Sequence, residues 1–220
     1  MRLTVLHQNA ELLVLDKPSG VSVLADRSGA PCLLDAIRGE HPAARLVHRI
    51  DKGTSGVLVL ATSRAAQRRI SQAFTRREVG KHYVAQVTGH VPRGTTLTIE
   101  LPLKPGRKSR YRVAGLREEI RASRGGWSTA EAGEGAASVT RIRVLTHSRD
   151  GPARSLLAVQ PLTGRTHQIR VHLAWVGHAV VGDRLYGAPD SAEQSATRLM
   201  LHAHRLVLPG YGTFVAALPW

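Results

Sequence analysis

Apolar residues in this chain come in short runs, four to six residues long, broken by polar turns. T-V-L-H near residue 4 and L-L-V-L before Asp16 read as strands, as do Leu46–Ile50 and Val57–Ala61. Cys32–Ile37 reads as a short helix ending near Gly39. Ser63 has the chemistry of an N-cap for a helix running to about Arg77. In that helix Ala66, Ile70, Ala73 and Phe74 fall at helical spacing and arginines cover the rest. Tyr83–Thr88, Leu97–Leu101, Val139–Thr146, Ser155–Gln160, Leu199–Leu208 and Phe214–Ala217 read as further strands. Arg165–Val176 reads as a helix stopped by Gly177.

Strands outnumber helices, and no repeat or linker divides the chain. The expected fold class is α/β in the α+β sense: one domain over residues 1–220 on a mixed, largely antiparallel sheet. Residues 104–138 change character. Eight basic residues stand there in K-P-G-R-K-S-R-Y-R-V-A-G-L-R-E-E-I-R-A-S-R against Glu118 and Glu119, and a Gly- and Ala-rich stretch from Trp127 to Ser138 follows. This segment is expected to be an insertion or long hairpin, mobile without a partner.

Charge changes the picture most. Lys and Arg total 31 against 16 Asp and Glu, a formal +15 at pH 7. Such an excess favours a polyanionic partner, although it does not by itself separate RNA from DNA or an anionic membrane. No apolar run is long enough for a transmembrane helix, and the N-terminus lacks a secretory pattern. The single cysteine, Cys32, excludes an intramolecular disulfide and any zinc site needing two thiolates from this chain. A cytoplasmic location fits. His167 and His172, with His202 and His204, suggest a metal site, and His202 and His204 share a strand face at a permissible ligand spacing, but no acidic third ligand lies near them in sequence, so no metal is expected.

The densest chemistry lies in Leu46–Gly56, L-V-H-R-I-D-K-G-T-S-G. Asp51 stands between Arg49 and Lys52, where neighbouring cations favour its charged form. An ionised carboxylate can bind a cation, orient a partner, or act as nucleophile or base. It can equally do no more than cap a turn. On a strand, Arg49 would share a face with Asp51, and His48 would face the other way as a packing or hydrogen-bonding residue.

H-R-I-D-K-G-T-S-G resembles the signature of the RluA-type pseudouridine synthases. Five further stretches resemble that family's motifs in its order: D-K-P-S-G at 16–20, K-H-Y-V-A-Q-V at 81–87, G-R-T-H-Q-I-R-V-H at 164–172, G-D-R-L-Y-G at 182–187 and L-M-L-H-A-H-R-L at 199–206. The resemblance implies the pseudouridine synthase fold, with a catalytic cleft across the sheet. It also implies isomerisation of uridine in structured RNA, rRNA or tRNA, with no cofactor. Asp51 would be nucleophile or base. Arg165 would hold Asp51 ionised and aimed, though alone it reads as a phosphate clamp or surface arginine. Tyr83 would stack on uracil or help remove the C5 proton, though alone it reads as a core tyrosine.

Arg49 would fill the gap left by a flipped base, and His167, Arg170 and Leu201 would contact substrate. Arg107, Lys108, Arg110, Arg112, Arg68 and Arg69 are candidates for the RNA backbone. The family's common N-terminal S4 domain has no room ahead of Asp16, so a monomer reading RNA through its catalytic domain, with no membrane and no obligatory protein partner, is expected. Two departures stand out: Ile50 replaces the commoner Leu, and Gly53 stands where the family often has Asp. A non-catalytic RNA-binding protein on the same scaffold, or a glycosidic hydrolase, remains an alternative. The first would have no chemical reason to keep Asp51, Tyr83 and Arg165 together.

Overall fold

A computed structural model describes residues 3–26, 29–94, 96–107, 110–129, 134–187 and 196–220. In chain order these form β1 (Thr4–Gln8), β2 (Leu12–Lys17), α1 (Leu33–Glu40), β3 (Arg45–Leu46), β4 (Ser55–Ala61) and α2 (Arg64–Thr75). There follow β5 (Gly80–Thr88), β6 (Leu97–Glu100), β7 (Leu103–Pro105), β8 (Tyr111–Val113), β9 (Ile120–Ser123) and β10 (Gly126–Thr129). The last elements are β11 (Val139–His147), β12 (Arg154–Pro161), α3 (Gln168–Trp175), β13 (Leu201–Leu208) and β14 (Gly212–Val215). The chain forms two compact units, Met1–His82 with His202–Trp220, and Tyr83–Leu201.

In the first unit the strands run β1-β2-β4-β13, with β14 on β13 and β3 on β4. The pairings are antiparallel except β4 with β13, which is parallel. Every residue of β4 is buried, so its sequence S-G-V-L-V-L-A is apolar on both faces. Alternation then sorts its side chains. Val57, Val59 and Ala61 pack with Ala66 and Ile70 of α2, while Leu58 and Leu60 pack with Leu33, Leu34 and Ile37 of α1. The two helices therefore cover opposite faces of one strand. Burying each such leucine contributes roughly 1.5–3 kcal/mol.

Ser63 caps α2 as its sequence predicts, its hydroxyl accepting from the Ala66 N–H at 3.1 Å. The helix ends two residues earlier than expected, at Thr75, because Arg77 turns to a left-handed φ of 61°.

The expected strand Leu46–Ile50 is not formed. Pairing with β4 stops after Leu46, and the next β4 amide in line, Val59 N–H, donates instead to the His48 ring at Nε2, 2.9 Å away. The ring stacks on Phe74, its centroid 4.6 Å away. Burial, with Lys81 as a second cause, holds the His48 pKa down to about 3, as befits a nitrogen that must accept. His48 is thus the packing and hydrogen-bonding residue expected. The strand argument that put Arg49 and Asp51 on one face does not apply.

In the second unit the strands run β5-β12-β11-β6-β10-β9, antiparallel except β6 with β10. Helix α3 is buried along nearly its whole length. Ile169, Val171 and Leu173 join Ala85, Val87, Ile99, Ile142, Leu157 and Val159 in one core.

The segment 104–138 departs from expectation. It opens with a small hairpin, β7–β8, but β9–β10 is a second hairpin built onto β6, and Trp127 packs against the core. Gly126 permits that join: at φ 135° it lies so close to Thr98 that a Cβ would overlap the Thr98 backbone. Leu103, Val113 and Ala114 are buried as well. The segment is anchored by apolar contacts that its basic composition hides, while Arg107, Arg110, Arg112, Leu116, Arg117 and Glu118 among its described residues are exposed.

Candidate active site

Asp51 occupies a tight turn ahead of β4, closed by a Thr54 N–H to Asp51 carbonyl bond of 3.1 Å. Asp51 is partly exposed, Arg49 is exposed, and Thr54, Ser55 and Gly56 are buried. The D-K-P-S-G loop grips this turn. Lys17, fully buried, donates from Nζ to the carbonyls of Pro18 (2.8 Å), Val21 (2.8 Å) and Lys52 (3.2 Å). Ser19 Oγ donates to Gly53 O at 2.6 Å, and Gly20 N–H to Lys52 O at 2.9 Å. An ammonium here satisfies three carbonyls at one point, which explains how a lysine side chain can be enclosed.

The far end of the turn is held by β13. Gly56, at φ 107°, approaches the Ala203 backbone so closely that any Cβ would clash. Ser55 Oγ lies 2.8 Å from His202 Nδ1, and His202 Nε2 lies 3.2 Å from Ala216 O. A carbonyl can only accept, so Nε2 carries the proton and the Ser55 hydroxyl donates to Nδ1. His204 Nδ1 also donates to Ala216 O, at 2.8 Å. The two histidines that suggested a ligand pair are both bound to the Ala216 carbonyl, just after β14. Among the described residues no group of three or more His, Cys, Asp or Glu is placed to hold a metal.

The arginine motif lies in the second unit. Helix α3 starts at Gln168, not Arg165. Arg165 is exposed on the turn before it, and His167 caps the helix in the left-handed region at φ 56°. Gln168 sets this turn: its Oε1 accepts from Arg165 N–H (3.0 Å) and Thr163 Oγ1 (2.7 Å), and its Nε2 donates to Val139 O and Thr140 Oγ1. One helical turn on, His172 is fully enclosed between Thr140 Oγ1 and Leu101 O, each 2.9 Å from a ring nitrogen. Burial holds the His172 pKa down to about 4. Gln168 was visible in the motif but not singled out from the sequence, because a polar residue's burial cannot be read from its type; His172, considered there as a metal ligand, is instead enclosed by these two hydrogen bonds.

Two positions expected to contact substrate are engaged within the protein. Arg170 makes a bidentate pair with Asp183, Nε to Oδ2 and Nη2 to Oδ1, both 2.7 Å. Its guanidinium also lies 5.1 Å from the Tyr186 ring centroid. Leu201 is 2% exposed and belongs to the apolar core. These are corrections: Arg170 is nearly buried with its fork on the Asp183 carboxylate, and Leu201 is enclosed, so neither is an open contact point. Tyr83 is partly buried on β5 opposite Val159 of β12 and packs against the same core. His167 Nδ1 lies 2.8 Å from the Tyr186 hydroxyl.

Of the backbone candidates, Arg107, Arg110 and Arg112 are exposed on the β7–β8 hairpin, and Lys108 lies outside the described residues. Arg68 is exposed on α2. Arg69 is exposed on the same helix and is tied to Glu11 and to the Tyr211 hydroxyl. No helix among the described residues is long and apolar enough to cross a membrane.

The mixed, largely antiparallel sheet thus carries a carboxylate on a turn clamped from both ends, in a strongly basic chain, and comparison with known proteins places it among RNA-modifying isomerases. Residues 11–175 match the family described as RNA pseudouridylate synthase. The chain belongs to this family, and its activity is that of a pseudouridine synthase, an isomerase.

It is 35% identical to the dual-specificity RNA pseudouridine synthase RluA of Escherichia coli O6:H1, over 96% of this chain and 89% of the relative. It is 36% identical to an RNA pseudouridine synthase of Zymomonas mobilis, over 92% of this chain and 85% of that one. Among solved structures it resembles human RNA Pseudouridylate Synthase Domain Containing 1, with a TM-score of 0.79 and 29% identity, covering all of this chain and 84% of that one. Human RNA Pseudouridylate Synthase Domain Containing 4 is similar too, with a TM-score of 0.78 and 28% identity.

Proposed function

We propose that the chain converts specific uridines in rRNA or tRNA to pseudouridine through Asp51. The observation that carries the reading is the clamped turn: Lys17, Ser19 and Gly20 hold Lys52 and Gly53, the two residues after Asp51, while β13 holds Ser55 and Gly56. A carboxylate that must meet one carbon of a flipped nucleotide benefits from a platform that does not move.

In the reaction the uridine N1–C1′ bond breaks, the uracil turns, and a C5–C1′ bond forms. The C5 proton leaves and N1 gains one, so the reaction consumes no cofactor. Asp51 either attacks C1′ or removes the 2′ proton to give a glycal. Extruding the nucleotide costs a few kcal/mol, which contacts to the surrounding RNA must offset. Arg49, exposed two residues before Asp51, fills the space the base leaves. Arg165 orients the carboxylate, and Tyr83 stacks on the uracil or assists loss of the C5 proton. His167 contacts the substrate.

Arg107, Lys108, Arg110, Arg112 and Arg68 bind the RNA backbone. Activity as a monomer in the cytoplasm, without an obligatory protein partner, completes the reading. Mapping pseudouridine in total RNA after incubation with the purified protein tests it. New pseudouridine at defined positions is expected. Unchanged RNA supports a binder, and released uracil a hydrolase.

A further inference from the structure

The G-D-R-L-Y-G motif has no place in the chemistry above, yet it meets two segments that do. Asp183 accepts at Oδ1 from the amides of Leu185 (3.0 Å) and Tyr186 (3.2 Å) while both its oxygens bind Arg170 of α3. That carboxylate shapes the loop and fastens it to the helix. The loop then delivers one hydroxyl. Tyr186 OH accepts from the Tyr111 N–H of β8 at 2.8 Å and lies 2.8 Å from His167 Nδ1. The rings of Tyr111 and Tyr186 both meet the His167 ring edge to face, with centroids 6.2 and 5.6 Å away. His167 is the residue at φ 56°, a left-handed state uncommon for any residue but glycine.

We propose that Tyr186 is a positioning residue for the arginine motif: its hydroxyl pins His167, and with it the Arg165 turn, to the backbone of the basic β7–β8 hairpin. The hydroxyl accepts from the Tyr111 N–H and is within hydrogen-bond distance of His167 Nδ1, a link that either His167 tautomer can make because a phenol oxygen both donates and accepts. The left-handed cap then holds Arg165 at a fixed distance from the hairpin that binds RNA backbone. The inference rests on the reading of Arg165 as part of the active site.

Tyr186→Phe removes the hydroxyl and keeps the ring that Arg170 covers, so the variant retains its packing. Under single-turnover conditions at saturating RNA its rate of pseudouridine formation falls about tenfold, while RNA affinity stays within about twofold, the pattern for a contact that matters mainly in the transition state. His167→Asn, which tolerates the left-handed cap, falls comparably. The double variant is no slower than the slower single one, because both remove the same link. A structural role alone would lower the melting temperature and leave the rate of the folded enzyme unchanged.

Amide hydrogen exchange supplies a second arm that does not depend on activity: the amides of Tyr111 and of residues 165–168 exchange faster in Tyr186→Phe. An unchanged rate, or effects that multiply in the double variant, overturns the proposal. If the wild type forms no pseudouridine, the proposed function has failed, and the exchange arm alone decides: unchanged protection at those amides overturns the link.

Discussion

The Lys17 ammonium lies 3.2 Å from the carbonyl of Lys52, so two cationic residues from separate motifs meet through backbone rather than repel through side chains. Lys17 points inward to three carbonyls, and Lys52 points outward to Asp26 at 2.9 Å. The first lysine therefore fixes the residue that follows Asp51.

Lys17→Met keeps the length and volume of the side chain but leaves buried carbonyls without their donor. A loss of roughly 2–4 kcal/mol in unfolding free energy is expected, since hydrogen bonds from a charged donor and unsatisfied acceptors both count. Urea unfolding measures it. The folded fraction should also turn over slowly, because the Asp51 turn has lost one clamp. A loss well under about 1 kcal/mol would mean that Ser19 and Gly20 suffice.

His172 makes stability depend on pH. Burial depresses its pKa from 6.5 to about 4, so the unfolded chain takes up a proton before the folded one does. Its contribution is fully present above pH 6.5 and is lost as pH falls towards 4. The whole effect amounts to about 3 kcal/mol. Replacing His172 with Gln lowers stability at neutral pH but removes this part of the acid dependence. Urea midpoints from pH 7 to pH 4 should therefore converge for the two proteins. Parallel curves would show that His172 does not titrate in this window.

Periodicity exposed β2, β4, α2 and most of the second unit's strands, because each buries a face that alternation or a helical repeat reveals. It failed at Val47–Ile50, where apolar spacing suggests a strand but the His48 ring takes the ladder bond that backbone would have made. It failed again at Gly126–Thr129, where a Gly- and Ala-rich stretch reads as a loop although a parallel neighbour, β6, orders it. Non-local pairing of that kind leaves no local signal. For the site, the motifs offered Asp51, Tyr83 and Arg165 as candidates. That Arg170 serves Asp183, and that Arg69 serves Glu11, was not, because sequence does not say which carboxylate lies within reach of a guanidinium.

Arg165→Lys keeps the positive charge and loses the planar fork. If Arg165 orients Asp51, the single-turnover rate should drop by roughly ten- to a hundredfold, the worth of one charge-assisted hydrogen bond. RNA affinity should change little. Rates equal to wild type would assign Arg165 to surface charge alone.

Changing Arg107, Arg110 and Arg112 together to Ala tests the β7–β8 hairpin as an RNA contact. Each lost phosphate contact reduces the log–log salt slope of binding by about 0.7 for a single strand, so three should reduce it by roughly 2. Turnover at saturating RNA should survive. An unmoved slope and affinity would return the hairpin to the status of solvated surface and shift RNA capture to Arg68 and its neighbours on α2.

The central claim is that Asp51 performs the chemistry on a platform built by other residues. Asp51→Asn keeps the size of the side chain and removes its charge, so RNA affinity should stay within a few fold and the clamped turn should persist. The decisive measurement is pseudouridine formed per enzyme when purified wild type and Asp51→Asn are incubated with the same RNA. The account predicts defined new pseudouridines with the wild type and none with the variant. A yield from Asp51→Asn near that of the wild type would contradict it.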